Sequence, residues 1–284
     1  MFEPIIIVGA GRSGTKMLRS ILTAHPDVVC FPREINYIWR YGNTNADTDE
    51  LKPEHARPEV IQYIRNKFSK FSMKRNSAII VEKTCANSLR VDFVHTIFPK
   101  AHIIHLVRDG RAVAESARRC WKARPQIRYL LEKACHVPIR DIPYYGSRYL
   151  RYQLGRLNMG DAKQSSWGPR FAQLDELVKE KTLIEVCGIQ WKVCVQAAES
   201  AMKDLPPDQT ITLRYEDIID SSLSTIGRLF EKINLAFTPE CQAYVMRTVT
   251  AENVNKWQHD LSEQDMRMLM PHIENELLQH GYEI

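Results

Sequence analysis

The sequence predicts an α/β protein: a central parallel sheet of about four or five strands flanked by helices, with a helical insertion. Three observations carry this. Short, mostly apolar runs recur at Ile5–Val8, Ala78–Val81, Ala101–Val107 and Thr210–Leu213, and each suits a strand buried on both faces. Longer stretches with helical periodicity separate them. The first run breaks at a glycine-rich turn and continues directly into a helical pattern. At 284 residues the chain is read as one domain, 1–284, with 117–180 as the insertion.

Ile5 to Lys16 reads IIIVGAGRSGTK. After the β-branched run come Gly9, Gly11 and Gly14. From Met17 the pattern becomes helical, with Met17, Leu18, Ile21 and Leu22 on one face, and His25-Pro26 ends it. Strand, glycine turn and helix together aim backbone N–H groups at one point near the positive end of a helix dipole, where an anion can sit. The spacing from Gly9 to Gly14 is that of a Walker A loop, G-x-x-x-x-G-K-[ST]. Thr15 stands where that loop has lysine, and Lys16 where it has the Mg²⁺-binding hydroxyl. The cradle is kept and both nucleotide-triphosphate groups are lost. This argues against an ATPase or GTPase and for a metal-free donor carrying one phosphate at this loop. Arg12 adds a planar charged fork.

Arg12-Ser13-Gly14-Thr15 after a buried strand resembles the 5′-phosphosulfate loop of sulfotransferases that use 3′-phosphoadenosine 5′-phosphosulfate (PAPS). A second motif fits the same family. Ala101–Val107 runs into Arg108, with Asp109 as the N-cap of the next helix and Ser116 eight residues beyond Arg108. The resemblance implies that Arg108 and Ser116 hold the 3′-phosphate. Taken alone, Arg108 is equally an ordinary salt-bridge partner.

Between these motifs lie the residues that would carry chemistry. The segment 27–50 is loop-rich, and Glu34 sits among Phe31, Tyr37, Trp39 and Tyr41. An aromatic, partly dry setting would raise a carboxylate's pKa and suit a general base. A surface glutamate is the plain alternative. In tyrosylprotein sulfotransferases and many bacterial relatives a glutamate soon after the first helix is the base, which the resemblance carries to Glu34 with the spacing shifted by about a residue. Residues 53–71 read as a charged helix. Ala78–Val81 ends in Glu82-Lys83-Thr84, and strand ends of open α/β sheets are where ligands bind. In the family a lysine here contacts the donor's bridging oxygen, so Lys83 would offset charge on the leaving phosphate. Cytosolic small-molecule sulfotransferases place a catalytic histidine two residues later. This chain has Cys85, which moves the base to Glu34.

Leu183–Met202 reads as a long helix, and Leu223–Ile233 and Leu261–Leu278 as two more. The resemblance puts Tyr215 of Arg214-Tyr215-Glu216-Asp217 near an adenine. It puts Lys256 of Val254-Asn255-Lys256-Trp257 on a loop over the nucleotide, where a helix-flanking lysine is the alternative. His102 and His105 read as core residues, not metal ligands.

Composition bounds the rest. The net charge of +5 is mild and spread along the chain, so no nucleic-acid partner is implied. No apolar run reaches the ~18 residues of a membrane span, and no signal peptide is read. Seven cysteines without a C-x-x-C pair read as reduced thiols in a cytoplasmic protein. The resemblance thus implies a P-loop-like fold and a metal-free transfer of a sulfuryl group from PAPS to a hydroxyl (or amine) acceptor on a small molecule, sugar or peptide. Arg12, Lys83 and Glu34 would be catalytic, and amides from Ser13, Gly14, Thr15 and Lys16 would hold the 5′-phosphate. Segment 117–180 suits an acceptor lid or a homo-oligomer contact. The alternatives are a P-loop kinase-like phosphotransferase and a catalytically inactive nucleotide-binding protein.

Overall fold

In the computed structural model, residues 4–123, 167–252 and 254–284 are described. The strands are β1 (Ile5–Val8), β2 (Val28–Cys30), β3 (Ile79–Lys83), β4 (His102–Val107) and β5 (Thr210–Arg214). They form one sheet in the order β2-β3-β1-β4-β5, and every pairing is parallel. In β1, the central strand, Ile6 lies beside Glu82 of β3 and Ile103 of β4. Parallel pairing needs crossovers, and helices supply them. These are α1 (Thr15–Leu22), α2 (Asn36–Trp39), α3 (Pro58–Arg75), α4 (Val91–Ile97), α5 (Gly110–Lys122), α6 (Leu174–Glu180), α7 (Leu183–Met202), α8 (Tyr215–Asp220), α9 (Ser222–Lys232), α10 (Pro239–Thr248), α11 (Trp257–Asp260) and α12 (Glu263–Gln279).

The period-2 alternation of β1 feeds two cores. Ile6 and Val8 join Phe68 of α3 and Phe93 of α4 on one face, and Ile5 and Ile7 join Leu18 of α1 and Phe230 of α9 on the other. A third cluster, around Trp121, Trp191, Leu269 and Ile273, packs α5, α7 and α12 together.

The expected sheet is present, with five strands. The strand β2 falls inside 27–50, which reads as loop. It has only three residues, two of them half-buried at the sheet edge, too few for a period to show. The helix α1 starts at Thr15, two residues before its apolar face begins, because Gly14 takes the left-handed cap conformation there. Residues 53–71 divide into a 3₁₀ turn, Pro53–His55, and α3, each with proline at its start. Within 117–180, residues 124–166 lie outside the described residues, and α6 is the helix after them.

His105 on β4 is fully buried, and neither ring nitrogen has a hydrogen-bond partner among the described residues. Burial, with a smaller push from His280, lowers its pKa to about 3. An unfolded histidine titrates near 6.5, so the unfolded chain takes up this proton first. The stability is complete above pH 6.5 and is lost as the pH falls below it. Burial pushes Glu82 the other way, up to about 7, so the histidine's share must be read from a variant. His105→Leu should gain stability over wild type on going from pH 8 to pH 5, by roughly 2 kcal/mol. Urea unfolding at both pH values measures this, and an equal difference at the two would refute it.

Candidate active site

The carboxyl ends of β1, β3, β4 and β5 open onto one cleft of about 520 Å³. Every predicted site residue except Ser13 lines it. Six cationic side chains (Arg12, Lys16, Lys83, Arg108, Arg119 and Lys256) face two carboxylates, Glu34 and Glu115. A concave surface with this excess of positive charge concentrates anions.

The floor is the turn after β1. Gly9 has φ +152°, and a Cβ there would lie 2.5 Å from the carbonyl oxygen of Leu106 on β4. Only glycine lets the turn lie this close to the neighbouring strand. Gly14, at φ +90°, caps α1. The first backward helical bond runs from the Leu18 amide to the Gly14 carbonyl. The amides of Thr15, Lys16 and Met17 precede it and point toward the cleft end of the helix. Ser13 departs from expectation. Its amide donates to the Ala10 carbonyl at 3.2 Å and its hydroxyl is fully buried, so it closes the turn and does not open onto the cleft.

Arg12 has φ +81°, a strained value for a side-chain-bearing residue. Two contacts hold it there. Its Nε donates to Ser116 Oγ of α5 at 2.9 Å, and its carbonyl accepts from Arg108 Nη1 at 3.2 Å. The glycine turn and the Arg108–Ser116 motif, 104 residues apart for the Arg12–Ser116 bond, therefore meet directly. Arg108 lies over the ring of Tyr215 at 4.3 Å, and Tyr215 in turn packs on Gly14. Trp191 Nε1 donates to the Arg108 carbonyl at 3.1 Å. Asp109 caps α5 as expected, accepting from the Arg111 amide at 2.8 Å, and also pairs with the Arg111 guanidinium.

At the end of β3, Lys83 Nζ lies 2.5 Å from Glu34 Oε1. Burial acts to lower the lysine's pKa, but the Cys85 sulfur and the carboxylates of Glu34 and Glu82 around it outweigh that and leave it raised. Lys83 is therefore cationic at neutral pH. Cys85, held mostly by burial at about 12, stays a thiol. Three of the four rings expected around Glu34 pack elsewhere. Phe31 stacks on Phe71, Trp39 packs edge-on to Phe68, and Tyr41 stacks on Tyr63, so these rings turn toward α3. The polar partner of Glu34 is Lys83, and its side chain is 38 % exposed.

Several residues escaped the sequence reading. Glu115 and Arg119 line the cleft and pair at 2.8 Å, and Arg119 also reaches Asp260 of α11 at 3.0 Å. Burial raises the pKa of Glu115. Trp167 lies against Gly11, and Trp257 under the Arg111 guanidinium at 4.2 Å. The one sequence signal was the helical spacing of Glu115 and Arg119 with Ser116. Among the described residues no group of three or more His, Cys, Asp or Glu is placed to hold a metal ion, and no helix is long and apolar enough to cross a membrane.

Fold and site together define an α/β protein with a cation-rich cleft at the carboxyl edge of a parallel sheet. Residues 4–164, more than half of the chain, match the Sulfotransferase family. The chain belongs to that family. It is 28% identical over 124 residues to protein-tyrosine sulfotransferase A of Caenorhabditis elegans, and 30% over 123 residues to protein-tyrosine sulfotransferase 1 of Danio rerio. Each match covers 39% of this chain, but only 32% and 34% of the relatives' own lengths. The fold is shared with the sulfotransferase domain from the curacin biosynthetic pathway (TM-score 0.57, 15% identity, 100% of this chain and 99% of that one). It is shared also with a mouse sulfotransferase complexed with PAP (TM-score 0.51, 13% identity, 98% and 89%).

Gly14 offers a direct test of the site's packing. A Cβ there would lie 2.5 Å from a Tyr215 ring carbon, on top of the cost of positive φ. Gly14→Ala should destabilise the fold by about 1–3 kcal/mol in urea unfolding. A loss below 0.3 kcal/mol would show that the Gly14–Tyr215 contact is not held this tightly.

Proposed function

We propose that this chain transfers the sulfuryl group of PAPS to a hydroxyl acceptor, an amine being the less favoured choice. The observation that carries the reading is the meeting of two anion-binding motifs through Arg12, whose Nε bonds Ser116 and whose carbonyl is held by Arg108. Family membership supports it, as does the PAP bound by the mouse protein of the same fold.

In this reading the amides of Thr15, Lys16 and Met17, with Arg12, hold the 5′-phosphate, and Arg108 and Ser116 hold the 3′-phosphate. Tyr215, beneath the Arg108 guanidinium, would lie near the adenine, and Lys256 would close the cleft over a phosphate. Glu34 takes the acceptor's proton as its oxygen attacks sulfur. The new O–S bond forms as the bond from sulfur to the 5′-phosphate oxygen breaks. Lys83 carries three N–H donors, so it can bond Glu34 and the departing oxygen together. It orients the base and offsets charge on the leaving group. Positioning and electrostatics carry such a transfer, as they do for phosphoryl groups. The relatives named protein-tyrosine sulfotransferases make a phenolic hydroxyl the first acceptor to try. The free cysteines among the described residues suit a reducing, cytoplasmic setting.

Isothermal titration with 3′-phosphoadenosine 5′-phosphate, beside ATP and ADP with Mg²⁺, tests the donor. Micromolar binding of the 3′-phosphorylated nucleotide without metal is expected, weakened about ten- to a hundredfold in Arg108→Ala, which removes a charged partner of the phosphate. Preference for ATP-Mg²⁺ would overturn the reading in favour of a kinase-like enzyme. With PAPS and a tyrosine-containing peptide, Glu34→Gln should lower kcat by about 10²–10⁴ and leave nucleotide affinity within twofold. Unchanged turnover would remove Glu34 as the base.

A further inference from the structure

Beside Lys83 on β3 stands Glu82, a carboxylate that the proposed reaction does not use. It is only 1% exposed and points into the core shared with Ile80. A buried carboxylate is costly unless its oxygens are bonded, and both of these are. Oε1 accepts from the Thr84 hydroxyl at 2.5 Å and Oε2 from the Asn87 amide at 2.9 Å.

Each bond continues to the same short segment. The Thr84 oxygen, its proton committed to Glu82, accepts from the backbone amide of Ile35 at 3.1 Å. On the other arm, Asn87 Oδ1 accepts from Arg90 Nε at 2.9 Å, and Arg90 Nη2 donates to Asn36 Oδ1 at 2.5 Å. The amide of Asn36 donates to Asp49, which also binds Arg40 and the backbone of Arg170. The two residues that follow Glu34 are thus tied, by separate routes, to the two oxygens of one carboxylate. Glu34 itself has no such tie. Its side chain bonds Lys83, the residue next to Glu82 on the strand, and also meets the Cys85 thiol.

We infer that Glu82 is a positioning residue: through Thr84 and through Asn87–Arg90 its two oxygens clamp Ile35 and Asn36, and this clamp holds the Glu34 carboxylate against Lys83. The clamp is polar and directional, where an apolar anchor would leave the segment free to slide. Glu82 acts through Thr84 and Asn87 and touches no reacting atom. The consequence for catalysis rests on the sulfuryl-transfer reading above. The clamp itself does not.

The test reads Lys83 directly. Acylation by acetic anhydride at pH 9, followed residue by residue with mass spectrometry, reports how firmly Glu34 engages the lysine, because the ion pair holds the lysine as an ammonium and only the neutral amine is nucleophilic. Glu34→Gln should raise the Lys83 rate at least threefold and sets the scale. Thr84→Val keeps the shape and removes the hydroxyl, and should reach at least half of that rise. Thr84→Ser restores the hydroxyl and should return the wild-type rate. Asn36→Ala opens the second arm without touching the core, and should also raise the rate should Thr84→Val not fold. A Lys83 rate that stays at the wild-type level in folded Thr84→Val or Asn36→Ala, while Glu34→Gln raises it, would overturn the inference. So would a Glu34→Gln variant that changes nothing. Titration of the same variants with 3′-phosphoadenosine 5′-phosphate separates the two readings. Affinity within twofold of wild type is expected, and no binding by any of the proteins, wild type included, would refute the proposed donor while the Lys83 rates still decide the clamp.

Discussion

The approach of the first turn to the end of β4 is the constraint on which the rest depends. Gly9 brings the backbone after β1 against the carbonyl of Leu106, closer than any side chain would permit. That contact seats the turn between two strands whose carboxyl ends already share an edge, because every pairing in the sheet is parallel. From this seat Arg12 meets Ser116, Arg108 meets the carbonyl of Arg12, and Gly14 lies on Tyr215. The first two contacts join the β4–α5 connection to the turn, and the third joins the start of α8 to it. An anion held there would lie beside residues from three strand ends at once, those of β1, β4 and β5, which no single loop could arrange.

The left-handed conformation of Arg12 follows from the same geometry. A residue with a Cβ gives up free energy to sit at positive φ, and glycine would relieve it. Glycine would also remove the guanidinium that links the turn to α5. The strain is retained because one residue supplies both the bend and the cation. The third core reinforces it from behind: Trp191 of α7 bonds the Arg108 carbonyl, fixing the backbone that carries the partner guanidinium.

Much of this was legible in the sequence because the signals were local. Four of the five strands announce themselves as short apolar runs, and Leu183–Met202 forms the expected helix at both ends. The order of strand, glycine turn and helix places Gly14, Thr15 and Lys16 in the cleft without further information. What the sequence hid was set by partners distant along the chain. Glu34 sits among aromatic residues in the sequence, yet those rings pack onto α3 and leave the carboxylate to Lys83, 49 positions away. Ser13 looks like its neighbours in the loop, but its amide closes the turn on Ala10. Glu82 reads as one more charged residue at a strand end. Its bonds to Thr84 and Asn87 depend on a 3₁₀ turn, Cys85–Leu89, that no periodicity betrays.

The dipeptide Glu82-Lys83 shows why a strand end suits this chemistry. Successive side chains on a strand point to opposite faces, so one step along β3 turns a carboxylate into the core and an ammonium into the cleft. Their backbone is fixed by pairing to β1, where Ile6 lies beside Glu82 and Ile7 beside Lys83. The lysine therefore enters the cleft from a strand paired on both sides, and the bonds of the carboxylate behind it run on to Ile35 and Asn36, the residues after Glu34. A side chain carried on a loop is only as well placed as the bonds that hold the loop, and here those bonds return to the strand that carries its partner. The pairing of Lys83 with Glu34 is then a property of one sheet edge and its buried network, and the two groups that face each other across the cleft share a single frame.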